Sequence, residues 1–341
     1  MGEILGHGNV ATVYQALLES EGRVKRPVAV KLFEGVASDE REIVLPRLER
    51  LARHAAYVQH PNVVETYEFG VMGAQPYFIT QLVEGTSLAA VLDGYARVRK
   101  RVPLDLALFV GLEVAEALVG TRRACAPDGR RVGFAHGDLS GREVLLSWNG
   151  EVKVSDFGVA RAVGAASTVR RIEMLAKRVA TVAPEVAQGQ KDDPRSDVFS
   201  LGVLLHEMLV GPRFPAGMPD ADKLECSRTG YVHIPALGPQ LPPRLRDVLL
   251  RAIAVDPDRR YPHAGALAFD LRRAAMELGV GDGRVFLRNA LRNLFDATEC
   301  DDDFETPSME RRVDLPANDG ALPCFDITQE QEKDPADWMD R

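Results

Sequence analysis

Val28-Ala29-Val30-Lys31-Leu32-Phe33 is β-rich, and a period of two sets Ala29 and Lys31 on one face with Val28 and Val30 on the other. After it, Pro46 can open a helix in which Leu48, Leu51, Ala52 and Ala55 recur at helical spacing. Two more strands are expected near Val63–Phe69 and Tyr77–Val83. From Glu84 onward the pattern turns helical, with one exception: Val144–Trp148 and Glu151–Ser155 are β-rich runs around Asn149-Gly150, the signal of a type I′ hairpin. Asp197–Val210 is apolar nearly all round, as in a helix buried inside a lobe. Helices are also expected over Pro243–Ala254, Ala264–Leu278 and Arg284–Phe295. The last carries Leu287, Leu291, Leu294 and Phe295 on one face and Arg284, Arg288 and Arg292 on the other, a solvated face.

With 341 residues, 45% of them hydrophobic, the chain can bury a sizeable core, which excludes a wholly disordered protein. The net charge of −8 carries no nucleic-acid footprint. From Asp296 to Arg341 there are 15 acids and 4 bases with little periodicity, so a disordered acidic tail suited to a basic partner is expected. Cys125, Cys226, Cys300 and Cys324 are scattered, which suggests reduced thiols rather than a disulfide scaffold or zinc site. The most apolar stretches, Leu106–Val119 and Val198–Val210, are interrupted by Glu113, Glu116, His206 and Glu207 and do not suit a membrane span. The first residues lack a signal-peptide pattern, so a cytoplasmic chain with no membrane or nucleic-acid partner is expected.

The chemistry concentrates in an ordered set of short motifs. Gly6-His7-Gly8-Asn9-Val10-Ala11-Thr12-Val13 stands at the start of the first strand pair, where glycines let backbone N–H groups approach phosphate oxygens. Lys31 follows on a strand, facing the same way as the small Ala29. A cleft lysine needs a counter-ion, and Glu49 on the next helix is the candidate. Glu42 is second, because Pro46 interrupts the helix behind it. Further on, His136-Gly137-Asp138 and Asp156-Phe157-Gly158 flank the hairpin, which holds two carboxylates at opposite ends of a short rigid element. Ala183-Pro184-Glu185, the buried helix and Asp256-Pro257-Asp258-Arg259-Arg260-Tyr261 complete the order.

In these motifs the chain is similar to the eukaryotic-type protein kinases, of the serine/threonine kind found in bacteria, over residues 2 to about 279. The resemblance implies an α+β, two-lobed fold: a β-rich N-lobe over 1–83, a mainly helical C-lobe over 84–279, a helical extension over 280–295 and the tail over 296–341. It implies ATP and Mg²⁺ as cofactors. Gly6 and Gly8 would lie over the phosphates, and Val13 and Ala29 would line the nucleotide site. Lys31 would bind the α/β-phosphates, with Glu49 pairing it. Thr80 would be the gatekeeper, and Gln81-Leu82-Val83 the hinge that holds adenine through its backbone. Asp138 would be the catalytic base and Asp156 a metal ligand, while Glu185 would pair structurally with Arg260. His60-Pro61-Asn62 matches the family's turn after the regulatory helix.

Four positions depart from the family pattern. Ala11 replaces the third glycine, and Gly137 the arginine before the catalytic aspartate. Ser140 stands where most members carry a lysine that touches the γ-phosphate. Glu143 stands where members carry a metal-binding asparagine, and as a carboxylate it can still ligate Mg²⁺. The activity expected first is transfer of the γ-phosphate of ATP to serine or threonine in a protein. A pseudokinase that binds nucleotide or partners is the second reading, and a small-molecule phosphotransferase of the same fold the third.

Overall fold

The computed structural model describes residues 2–7, 11–19, 25–167, 172, 174–176, 178–191, 193–231 and 241–295. The expected acidic tail, Gly8 and the adjoining tip of the glycine loop therefore lie outside the described residues.

Strands β1 (Ile4–His7), β2 (Thr12–Glu19), β3 (Lys25–Leu32), β4 (Thr66–Met72) and β5 (Gln75–Gln81) form one antiparallel sheet in the order β1-β2-β3-β5-β4. The pleat sorts β3 as its alternation predicts. Val28, Val30 and Leu32 join Tyr77 and Ile79 in an apolar cluster on one face. On the other face Ala29 lies opposite Thr80 and Lys31 opposite Phe78.

Helix α1 (Arg41–Ala55) packs its Val44, Leu48, Leu51 and Ala52 against Phe33 and Phe78. It begins five residues before Pro46 rather than at it. The missing proline N–H leaves the carbonyl of Glu42 without its helical donor. Both residues are exposed, so water can serve that carbonyl and the helix runs through.

The second lobe opens with β6 (Gly85–Ser87), α2 (Leu88–Arg97) and α3 (Leu104–Arg123). Strands β7 (Val144–Ser147) and β8 (Val152–Val154) then join β6 in a three-stranded antiparallel sheet. Their connection is not type I′. That turn requires positive φ at both central residues, whereas here Gly150 has φ 85° and Asn149 does not share it. Gly150 N–H donates to Ser147 O and Ser147 N–H to Glu151 O, giving a three-residue loop closed by a left-handed glycine.

Helices α4 (Val159–Gly164), α5 (Pro184–Ala187), α6 (Pro194–Leu209), α7 (Asp220–Arg228), α8 (Pro243–Ala252), α9 (Ala264–Glu277) and α10 (Gly283–Phe295) follow. The core of this lobe is built on α3, which α6, α9 and α10 cover. Helix α6 is buried nearly all round, as its composition requires, and Asp193 caps it in a capping box with Ser196. On α10, Leu287, Ala290 and Leu291 are buried while Arg284, Arg288 and Arg292 are exposed. No helix of the described residues is long and apolar enough to cross a membrane. The result is a two-lobed α+β fold.

Candidate active site

Between the lobes lies a cleft of about 470 Å³. The sheet lines its roof with Gly6, Val13, Ala29 and Lys31, and the connection between lobes lines its rear with Thr80, Gln81 and Val83. These residues meet because of strand register: Gly6 pairs with Val13, Val13 with Lys31, and Ala29 with Thr80. Gln81 N–H donates to Glu65 O, so this hinge donor serves the sheet. Asp156, at the end of β8, lines the same cleft.

Lys31 Nζ lies 2.6 Å from Asp156 Oδ1. The structure does not bring Glu49 to Lys31. Glu49 Oε1 instead accepts from Arg53 Nη2, one turn along α1, at 2.6 Å, and its side chain is 44% exposed. The cause is helical phase: Leu48, Leu51 and Ala55 occupy the inner face of α1, with Leu51 and Ala55 on the cleft wall, and residue 49 falls off that face. The alternative, Glu42, is exposed.

The loop bearing Asp138 is held from three sides. Asp197, buried in the first turn of α6, accepts from His136 N–H at 2.8 Å and Gly137 N–H at 2.9 Å, one through each carboxylate oxygen. The His136 ring accepts from Asp138 N–H at 3.2 Å through Nδ1 and donates through Nε2 to Ser155 O at 3.0 Å. Burial pushes its pKa down to about 4, so the ring is neutral, as this pairing needs. It also packs on Phe157 with centroids 4.5 Å apart, tying the Asp138 loop to the Asp156 loop. Gly137 has φ 73°, a left-handed conformation that glycine adopts without strain, so the residue in place of arginine suits this turn. Asp156 has φ 62°, an uncommon conformation for aspartate.

Three carboxylates face this region. Loss of water by burial raises the Asp138 pKa, with Arg178 opposing the rise and Asp156 adding to it. Burial raises the Glu143 pKa as well, and Asp138 adds to that rise. Ser140 Oγ donates to Glu143 Oε2. Among the described residues no ready-made cluster of three or more metal-binding side chains exists. Asp156 and Glu143 nevertheless suit a hard divalent cation completed by phosphate oxygens, and such a cation would offset the repulsion from Asp138 and Asp156 that adds to the effect of burial on Glu143.

Two residues of this site escaped the sequence reading. Asp197 had a signal: an aspartate in the first turn of an otherwise apolar helix must find partners. Arg178 had none, since its segment has no period. Its Nε sits 3.2 Å from Asp138 Oδ1, and both side chains are largely shielded from solvent. Arg178 also lines a second cavity of about 420 Å³, together with Arg47, Arg50, Arg161 and Lys191 and without a lining carboxylate. The arginine absent at 137 thus leaves this neighbourhood basic. Farther out, Glu185 and Arg260 form a buried bidentate pair with both N···O distances 2.8 Å, fixing α5 to the segment after α8.

A nucleotide-sized cleft with Lys31 on its roof and Asp156 in its wall, beside a loop that carries Asp138, defines a phosphotransferase-like site. A family model described as "Protein tyrosine and serine/threonine kinase" matches residues 1–268, and the chain belongs to that family. It is 31% identical to a probable serine/threonine-protein kinase, SCO3848, of Streptomyces coelicolor, over 80% of this chain and 39% of the relative. It is also 31% identical to the tyrosine-protein kinase MasK of Myxococcus xanthus, over 85% of this chain and 45% of the relative. The serine/threonine-protein kinase PknB of Mycolicibacterium smegmatis is again 31% identical, over 80% and 42%. The chain thus spans less than half the length of these relatives.

Proposed function

We propose that this protein transfers the γ-phosphoryl group of ATP to a serine or threonine hydroxyl of a protein, with Mg²⁺, in the ATP-containing cytoplasm. The observation that carries this reading is the convergence of Lys31 and Asp156, 2.6 Å apart in the cleft, with Asp138 on a loop tied to the same element through His136. Adenine would lie against Ala29 and the hinge at Val83, under Val13, with the phosphates toward Gly6 and Lys31. Asp138 accepts the proton of the acceptor hydroxyl. The hydroxyl oxygen bonds to the γ-phosphorus as the bond from that phosphorus to the β,γ-bridging oxygen breaks, leaving ADP. Asp156 and Glu143 are the groups that would hold Mg²⁺, which when bound neutralises charge on the phosphate oxygens. Lys31, paired with Asp156 before nucleotide arrives, is placed to turn its ammonium to the phosphates. MasK is named a tyrosine kinase, so the acceptor is itself a point to test.

The test is incubation with γ-labelled ATP and generic protein acceptors, followed by phosphoamino-acid analysis, for wild type and Lys31→Ala. Label on phosphoserine or phosphothreonine that drops at least about 100-fold in the variant supports the reading, matching the loss of one strong electrostatic contact. Label on tyrosine alone, no label, or equal label in the two proteins overturns it.

A further inference from the structure

Around Asp138 the supply of positive charge is unusual. Lys31 is engaged by Asp156, and position 140, two residues after Asp138, offers a hydroxyl that Glu143 occupies. The cation in contact with Asp138 arrives from a distant part of the chain, as Arg178 Nε at 3.2 Å from Oδ1. Yet neither of these buried atoms has a hydrogen-bond partner. They attract one another as charges without an aligned N–H···O bond, so both keep bonding capacity at the point where an acceptor hydroxyl must come.

Arg178 is held firmly. Its carbonyl accepts from Thr181 N–H at 2.9 Å and Val182 N–H at 3.0 Å. The turn beyond it is bolted down by Arg213, whose side chain is wholly buried and donates through Nη1 to Ala180 O and Val182 O, each at 3.0 Å. Ser227 Oγ donates to Val179 O at 2.9 Å, and Ser200 Oγ to Thr181 O at 2.8 Å. A guanidinium carried on such an anchored turn has already lost much of the freedom it would otherwise surrender in the reaction.

We propose that Arg178 is a positioning residue for phosphoryl transfer, supplying beside Asp138 the positive charge that Ser140 does not. It keeps the Asp138 carboxylate ionised and aimed at the acceptor hydroxyl. The proton still moves from that hydroxyl to Asp138, the new bond still forms to the γ-phosphorus, and ADP still leaves; Arg178 neither gains nor loses a proton. The inference rests on the transfer activity proposed above.

The experiment compares wild type, Arg178→Met, Arg178→Lys, Ser140→Lys and the Arg178→Met/Ser140→Lys double variant in steady-state transfer, with nucleotide binding followed by thermal shift. Arg178→Met should lower kcat between about tenfold and about 100-fold, the range for losing one charge-assisted contact, with the KM for ATP unchanged within about twofold. Arg178→Lys should fall between it and wild type. Ser140→Lys should raise the kcat of Arg178→Met at least about tenfold, and by a larger factor than it changes the kcat of the protein that keeps Arg178, because the charge returns from the other side. If Arg178→Met is faster than wild type, the contact is an inhibitory latch and the proposal fails. It also fails if kcat is unchanged, or if Ser140→Lys restores nothing to a folded, nucleotide-binding Arg178→Met. Should Arg178→Met not fold, Arg178→Lys decides: an unchanged kcat overturns the proposal and a lowered one supports it. Absence of transfer by wild type would overturn the kinase reading together with this inference, whereas an active wild type with an indifferent Arg178 overturns the inference alone.

Discussion

Asp197→Asn strikes the point where the buried helix grips the catalytic loop. The carboxylate accepts two backbone N–H groups, from His136 at 2.8 Å and Gly137 at 2.9 Å. Asparagine can keep one of them; the other then meets an NH₂ group, donor against donor. Losing one charge-assisted bond costs about 1.5 to 3 kcal/mol, and leaving a buried N–H unpaired adds about 1 to 3 kcal/mol, so a loss of about 2.5 to 6 kcal/mol is expected. Domains of this kind are stable by about 5 to 15 kcal/mol, so the variant should still fold. Asp138 follows Gly137 directly, and a displacement of about 1 Å at a reacting group can cost about 100-fold in rate. Urea unfolding followed by circular dichroism should show the stability loss, and the transfer assay a fall in kcat with ATP binding retained. Unchanged stability together with kcat within about twofold of wild type would refute the idea that Asp197 sets the loop.

Glu185→Ala leaves Arg260, with a side chain 0% exposed, buried without its carboxylate, and should destabilise the protein by about 3 to 5 kcal/mol in denaturant unfolding; a loss below about 1 kcal/mol would show that the backbone carbonyls around Arg260 suffice. Glu143, whose pKa is pushed up to about 8, is neutral below that pH and must lose its proton to ligate metal, so wild-type Mg²⁺ affinity should rise as pH climbs toward about 8. Glu143→Asn should remove that pH dependence and raise transfer near pH 7; superimposable Mg²⁺ titrations of the two proteins would show that position 143 is no metal site.

What could be read in advance was whatever follows from a local period or a short motif. The alternation in Val28–Phe33 already sorted Lys31 and Ala29 to one face, and the hairpin between the two aspartates followed from β-rich runs around a turn. Glu49 shows the limit. A cleft lysine needs an acid, and Glu49 is near in sequence, but the repeat Leu48, Leu51, Ala52, Ala55 assigns the inner face of α1 to apolar residues and leaves position 49 outside it. The hairpin turn differed for a related reason: Asn149-Gly150 permits a two-residue turn, but pairing of Ser147 with Glu151 sets a three-residue loop. Arg178 was invisible because its meeting with Asp138 depends on tertiary anchors, Arg213 and Ser227, far along the chain.

In the proposed reaction Asp138 takes the acceptor proton, and the cleft binds ATP independently of it. Single-turnover transfer of γ-labelled phosphate by Asp138→Asn, at ATP concentrations shown by thermal shift to saturate both proteins, tests it most directly. The predicted result is undiminished nucleotide binding with transfer slowed at least about 100-fold, the effect of removing a general base. Transfer at the wild-type rate by a nucleotide-bound Asp138→Asn protein would contradict the account.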